Sequence, residues 1–235
     1  MLIAYHNLPS IKTDILAQLE THRVADEIIK GQYWSGGKGC AVGCTIHGSN
    51  HSEYESAFGI PTLLACLEDA IFESLPKYIA KAWPERFMSA IEPGQDLSRV
   101  GFQFFHWLLT DETINPGIDH PLVRDVLQTS ADTFAKLIEG ELVGISLIQA
   151  IRAKACITYE SAISALQEAE MAAYCTHWCL DALIKIRSDR NEGAARSIEF
   201  AINSIAYLDK AKISARMADK LLELIAAAPM APSTR

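Results

Sequence analysis

The chain reads as an all-α protein, and three observations carry that reading. Apolar residues recur at spacings of three and four along most of its 235 residues. No alternating run of strand length appears, and the hairpin dipeptides Asn-Gly and Asp-Gly are absent. Residues 145–192 contain neither glycine nor proline and are rich in alanine. The first half is instead punctuated by both, which predicts short helices there and a longer, Ala-rich antiparallel bundle in the second half.

The elements follow in order. Ser10 caps a first helix expected over 10–30, with Ile11, Ile15, Leu19 and Ile29 on one face and Gly31 as its stop. A glycine loop reaches Gly39, and Cys40 to His47 predicts a two-turn helix. Asn50 opens another, with Glu53 at the capping-box position, and Gly59 ends it. Pro61 starts a helix over Thr62–Leu75, with Leu64, Leu67, Ile71 and Leu75 on its stripe and Glu68, Asp69 and Glu73 off it. Pro76 and Pro84 divide the next segment into two short pieces. Asp96 caps a helix to Thr110 that is apolar nearly all round, so it is expected to be buried, with His106 as a hydrogen-bonded core residue. Asn115-Pro-Gly lies in a junction, and Asp119 with Pro121 opens a helix to Glu139.

Beyond Ile145, Ile148, Ile151, Ala155, Thr158, Ala162, Ala165 or Leu166, Ala169 and Ala173 form the seam of a close helix pair. One unbroken helix of that length is disfavoured, and breaks are expected at Ile157-Thr158 or after Arg187. Asn191 caps a further helix, and a last one ends near Ile225. The domain reading is 1–115 for an N-terminal helical part, 116–228 for the bundle, the two packed as one unit, and 229–235 for a disordered tail.

Composition limits function. Hydrophobic residues are 49% and the formal net charge is −8. The acidity argues against nucleic-acid binding through a basic face. No apolar run is long enough for a membrane span, and no secretory signal opens the chain. A cytoplasmic setting is therefore expected, with the six cysteines reduced.

The richest stretch is Tyr33–His51, with five glycines, two cysteines and two histidines. Three chemistries suit it. The spacing of Cys40, Cys44, His47 and His51 predicts a zinc site only if the break at Gly48-Ser-Asn50 folds His51 back. On a straight helix the outer Cα atoms would stand roughly 16 Å apart, too far for one ion. Alternatively Cys40, at a helix start beside Lys38, is a nucleophile of acyl-transfer or hydrolase type. His47 or His51 would be its base, with His22 and His106 as further candidates and Glu53 or Glu55 as orienting groups. Third, Gly37, Lys38 and Gly39 form an anion-cradling loop, although the phosphate-loop and dinucleotide motifs are both absent. Tyr33 and Trp34 are candidate anchors for a partner. Packing also explains the glycines, since Gly39 and Gly43 admit close neighbours. Cys175 and Cys179, one turn apart, read as core thiols. From Lys38 to Lys77 there is no intervening Lys or Arg, while Glu53, Glu55, Glu68, Asp69 and Glu73 are present, which predicts a locally acidic face that is either simply wet or attracts a cation or a basic partner.

Gly37-Lys-Gly-Cys-Ala-Val-Gly-Cys44, His51-Ser-Glu-Tyr-Glu55, Phe58-Gly-Ile-Pro61 and Leu67-Glu-Asp-Ala-Ile-Phe-Glu73 resemble a group of uncharacterised bacterial and phage-related proteins. The likeness covers roughly the first half. That group has no established activity, so it transfers no residue roles. It implies a bacterial or mobile-element setting and adds weight to binding over catalysis. The sequence thus predicts an acidic helical protein that binds a protein partner or itself. A Cys40 enzyme and a zinc domain are the alternatives, and no cofactor other than that zinc is expected.

Overall fold

A computed structural model describes residues 2–163, 166–207 and 209–232 of the chain. Twelve α-helices are present among the described residues, beside one two-stranded sheet, so the chain is all-α. It divides into two compact units, Met1–Val100 with Ala215–Arg235, and Gly101–Ser214.

In the first unit, α1 (Pro9–Val24) places proline in its first turn, where a missing N–H costs nothing. It stops well before Gly31, because Asp26 takes the left-handed conformation (φ 58°) after Ala25. The glycine loop is a miniature hairpin, β1 (Trp34–Ser35) paired antiparallel with β2 (Lys38–Gly39). Gly36 and Gly37 form its two-residue turn, with φ of 59° and 81°. That pair of positive φ values is the hairpin turn that matches strand twist, and Gly-Gly satisfies it as Asn-Gly does. Two short helices follow, α2 (Ala41–Ile46) and α3 (Glu53–Phe58), the latter stopped by Gly59 at φ 63°.

The centre of this unit is α4 (Thr62–Ser74). Glu55 caps it, its Oε1 accepting from the Thr62 N–H (3.0 Å) and hydroxyl (2.6 Å). All but one of its residues are buried, Glu68 and Asp69 included. The expectation of a wet acidic face is corrected here, because α4 packs on α2, α3 and a later helix and has little surface left for water. That later helix is α6 (Trp83–Ala90), reached through α5 (Lys77–Ala80). Trp83 is fully buried and donates its indole N–H to the Glu68 carbonyl at 2.9 Å. At the end of the chain, the Asp96 N–H donates to the Pro229 carbonyl and the Ala231 N–H to the Gly94 carbonyl, both at 2.8 Å.

In the second unit, α8 (Arg124–Glu139), α9 (Ile145–Ala162), α10 (Gln167–Arg187) and α11 (Asn191–Ile205) form the bundle, with α10 packed on the other three. Short connections make consecutive helices antiparallel neighbours. Ala155, Ala162, Ala169 and Ala173 are buried as the seam predicts. Leu166 is exposed, and Ala165 lies outside the described residues. α9 runs through Ile157-Thr158 without a break, while α10 does end at Arg187.

The remaining helices are α7 (Val100–Thr110) and α12 (Lys210–Ala226). Phe104, Phe105, Leu108 and Leu109 of α7 are buried, but His106 and Trp107 are only half-buried, so α7 is not enclosed on every side. Among the described residues, no helix is long and apolar enough to cross a membrane.

Candidate functional site

Cys40 is the N-cap of α2. Its N–H reaches the carbonyls of Gln32 (2.7 Å) and Tyr33 (3.1 Å), and its Sγ accepts from the Gly43 N–H at 3.5 Å. The backbone of Tyr33 crosses this first turn closely. A Cβ at Gly39 or Gly43 would stand 1.9 or 2.0 Å from the Tyr33 carbonyl oxygen, so both positions need glycine. The fold therefore uses Gly39 and Gly43 for close approach and Gly36 and Gly37 for the turn, and it leaves Lys38 exposed on β2.

From α4, Asp69 and Glu73 extend toward Cys40, one helical turn apart. The Cys40 Sγ and one oxygen of each carboxylate lie within 4.8 Å of one another. Cys40 and Asp69 are buried, and Glu73 is half-buried. Glu73 Oε1 accepts from the Gly31 N–H at 2.9 Å. Asp69 Oδ2 meets His51 Nε2 at 3.1 Å, while Asp69 Oδ1 and His51 Nδ1 are buried without a hydrogen-bond partner. The neighbouring Glu68 accepts the Tyr54 hydroxyl at 2.6 Å, and its Oε1 is also unpartnered. Burial pushes the Glu68 carboxyl well up, against the Tyr54 hydrogen bond, and the charge of Asp69 adds to the shift.

Burial also raises the Cys40 thiol, and the negative charge of Asp69 raises it further. A catalytic thiol needs the opposite shift and an open approach, whereas Cys40 is 2% exposed. The Gly43 N–H favours thiolate but is outweighed.

The four residues grouped by spacing are distributed differently. Cys40 and His51 both approach Asp69. Cys44 donates its thiol to the Gly39 carbonyl at 3.3 Å and is pushed up to about 11 by burial. His47 ends α2 in the left-handed conformation and stacks on Trp34, with ring centroids 4.2 Å apart. Among the described residues, neither Cys44 nor His47 belongs to a group of three or more possible ligands, so spacing along the chain does not define the cluster. Tyr33 packs edge-on to His51 at 5.7 Å and is 41% exposed. From sequence, Asp69 and Glu73 belonged only to an acidic stretch able to attract a cation, and their convergence on Cys40 was not foreseen. Their one signal was a pair of carboxylates four residues apart in a helix that is otherwise almost wholly apolar.

No known protein family, characterised protein or solved structure matches the chain.

Proposed function

We propose that the first unit is a divalent-metal-binding module of the zinc class, which presents the Tyr33–Trp34 hairpin to a protein partner. Cys40, Asp69 and Glu73 are its ligands in this reading. The observation that carries it is the convergence of a thiol and two carboxylates within 4.8 Å, one of them with an unpartnered buried oxygen. Like charges one turn apart on a helix repel, and burial sharpens the repulsion. A cation between them removes it. Zinc bonds of roughly 2.0 to 2.3 Å place neighbouring ligand atoms within the span found here after a small closure. One sulfur and two oxygens suit zinc and its borderline neighbours better than calcium or magnesium.

The ion takes the place of the Cys40 proton, which leaves to solvent, so affinity rises with pH. His51 orients Asp69 as an outer-shell partner. Three protein ligands leave a fourth position for water, on the side where Glu73 is partly exposed. The hairpin lies against the same α2 turn, which links the ion to the surface carrying Tyr33.

Native mass spectrometry of the reduced protein, supplied with one equivalent of zinc, tests the proposal. The expected result is one ion retained in the wild type, with Cys40→Ser and Asp69→Asn each losing it while keeping their helical circular dichroism. Folded wild-type protein that retains no zinc, or a Cys40→Ser variant that retains it unchanged, would overturn the reading.

A further inference from the structure

Elsewhere in the first unit, a cavity of about 270 Å³ opens between α4, α5 and the segment that follows α1. Its floor is apolar, with Ile28, Phe72 and Ala80 all buried. Ile29 and three lysines, Lys30, Lys77 and Lys81, complete the lining. Among the described residues no carboxylate side chain lines it, in a chain whose formal net charge is −8. The segment carrying Ile28 to Lys30 is held from behind by β2. The Ile29 N–H donates to the Gly39 carbonyl at 2.8 Å, and the Gly39 N–H donates to the Glu27 carbonyl at 3.0 Å. Lys30 Nζ donates to the carbonyls of Glu73, at 2.9 Å, and Leu75, and stands 5.9 Å from the centre of the Phe72 ring. A positive charge is thus fixed beside the apolar floor. Lys81 pairs with Asp26, both of them exposed. Lys77 is exposed and, among the described residues, has no ion-pair partner.

A lysine side chain is an apolar stem with a charged end, so these residues extend the apolar lining and bring positive charge to it together. A cleft lined by one sign of charge over low-dielectric walls concentrates ligands of the opposite sign. The volume lies near the lower end of the range of small-molecule sites, about 300–1,000 Å³, which suits a compact ligand. We propose that this cavity binds a small organic anion, an apolar body carrying one carboxylate. The body lies on Ile28, Phe72 and Ala80, and the carboxylate is met by Lys77 and Lys30. A cation is repelled, a small hydrophilic anion leaves the floor unfilled, and an uncharged apolar molecule leaves the lysines unused. This site shares no residue with Cys40, Asp69 and Glu73, and neither proposal depends on the other.

The test is an isothermal titration of the full-length protein with 4-phenylbutyrate at low ionic strength. Saturable binding of one molecule per chain is expected, weakening as salt is added. The uncharged 4-phenylbutanol and the bodiless acetate should not saturate at the same concentrations. Lys77→Glu, which reverses an exposed charge, should weaken binding about 5- to 10-fold. Lys30→Met keeps the stem and removes the charge, and should weaken it as well. Lys210→Glu, an exposed lysine on α12 outside the lining, should leave it unchanged. Binding should also persist in Cys40→Ser. If Lys30→Met fails to fold, Lys77→Glu still decides. Folded wild type without saturable binding, an alcohol that binds as tightly as the carboxylate, or unchanged affinity in Lys77→Glu would overturn the proposal. Binding lost in Cys40→Ser would place the carboxylate at the metal cluster and overturn it equally.

Discussion

Gly43 sets the closest constraint around the site. A methyl group there would meet the Tyr33 carbonyl at 2.0 Å, and that atom is backbone, which cannot rotate away. Gly43→Ala should therefore cost about 1–3 kcal/mol in denaturant unfolding, the usual penalty of overpacking. It should also displace the hairpin, visible as a change in Trp34 emission. Gly48 provides the contrast, since its nearest neighbour would be an Ile46 side-chain atom at ordinary contact distance, 3.7 Å. Gly48→Ala is expected to leave stability within about 0.5 kcal/mol. At this scale the sequence was partly legible. Cys40 stood out because of the glycines before it. Asp69 and Glu73 did not, because the contact that gives them meaning spans 29 and 33 residues of chain, and periodicity reports only neighbours on the same helix.

Among the elements, the hairpin and the bundle clasp make separate predictions. Gly36 and Gly37 both have positive φ, so the turn accepts asparagine at position 36 but resists a β-branched residue. Gly37→Val should cost about 1–2 kcal/mol, measured by chemical denaturation, whereas Gly36→Asn should be near neutral. In the bundle, Asp181 on α10 ties three helices together. Its carboxylate meets Arg152 of α9 and Lys185 of α10 at 2.7 Å, and the Ser197 hydroxyl of α11 donates to it at 2.8 Å. Burial alone would raise this carboxyl, but the hydrogen bonds from Lys185 and Ser197 and the charges of Lys185 and Arg152 hold it below the usual range. A lowered folded value contributes stability that is complete above the unfolded pKa of about 3.9 and is lost as pH falls through the folded one. Acid unfolding followed by circular dichroism should therefore show a shallower acid limb in Asp181→Asn, with about 3 kcal/mol less stability at neutral pH. Equal acid limbs in the two proteins would contradict this. Helix types and most stops were legible, including Gly59 and the prolines of α5 and α6. The hairpin was not, because a Gly-Gly turn between two-residue strands leaves no alternation to detect. The end of α1 was hidden for a similar reason, since Asp26 provides the left-handed stop that a glycine usually announces.

For the whole molecule, net charge and hydropathy predicted an acidic helical protein, but they could not show where the acidity is placed. The structure puts the Asp69 carboxyl of α4 in the interior beside a thiol and an imidazole, with the half-buried Glu73 next to it. This departure from the rule that charges stay in water is where function is expected, because uncompensated burial is costly and has to be offset. If a metal offsets it, chelation should lower the thermal midpoint of the wild type but not that of Cys40→Ser, and added zinc should restore the wild type. The most direct measurement is the absorption spectrum of the protein loaded with cobalt(II). The account predicts tetrahedral visible bands together with a near-ultraviolet thiolate-to-cobalt charge-transfer band that Cys40→Ser lacks. A folded protein showing only the faint spectrum of cobalt bound through oxygen and nitrogen, with no charge-transfer band, would contradict the central claim.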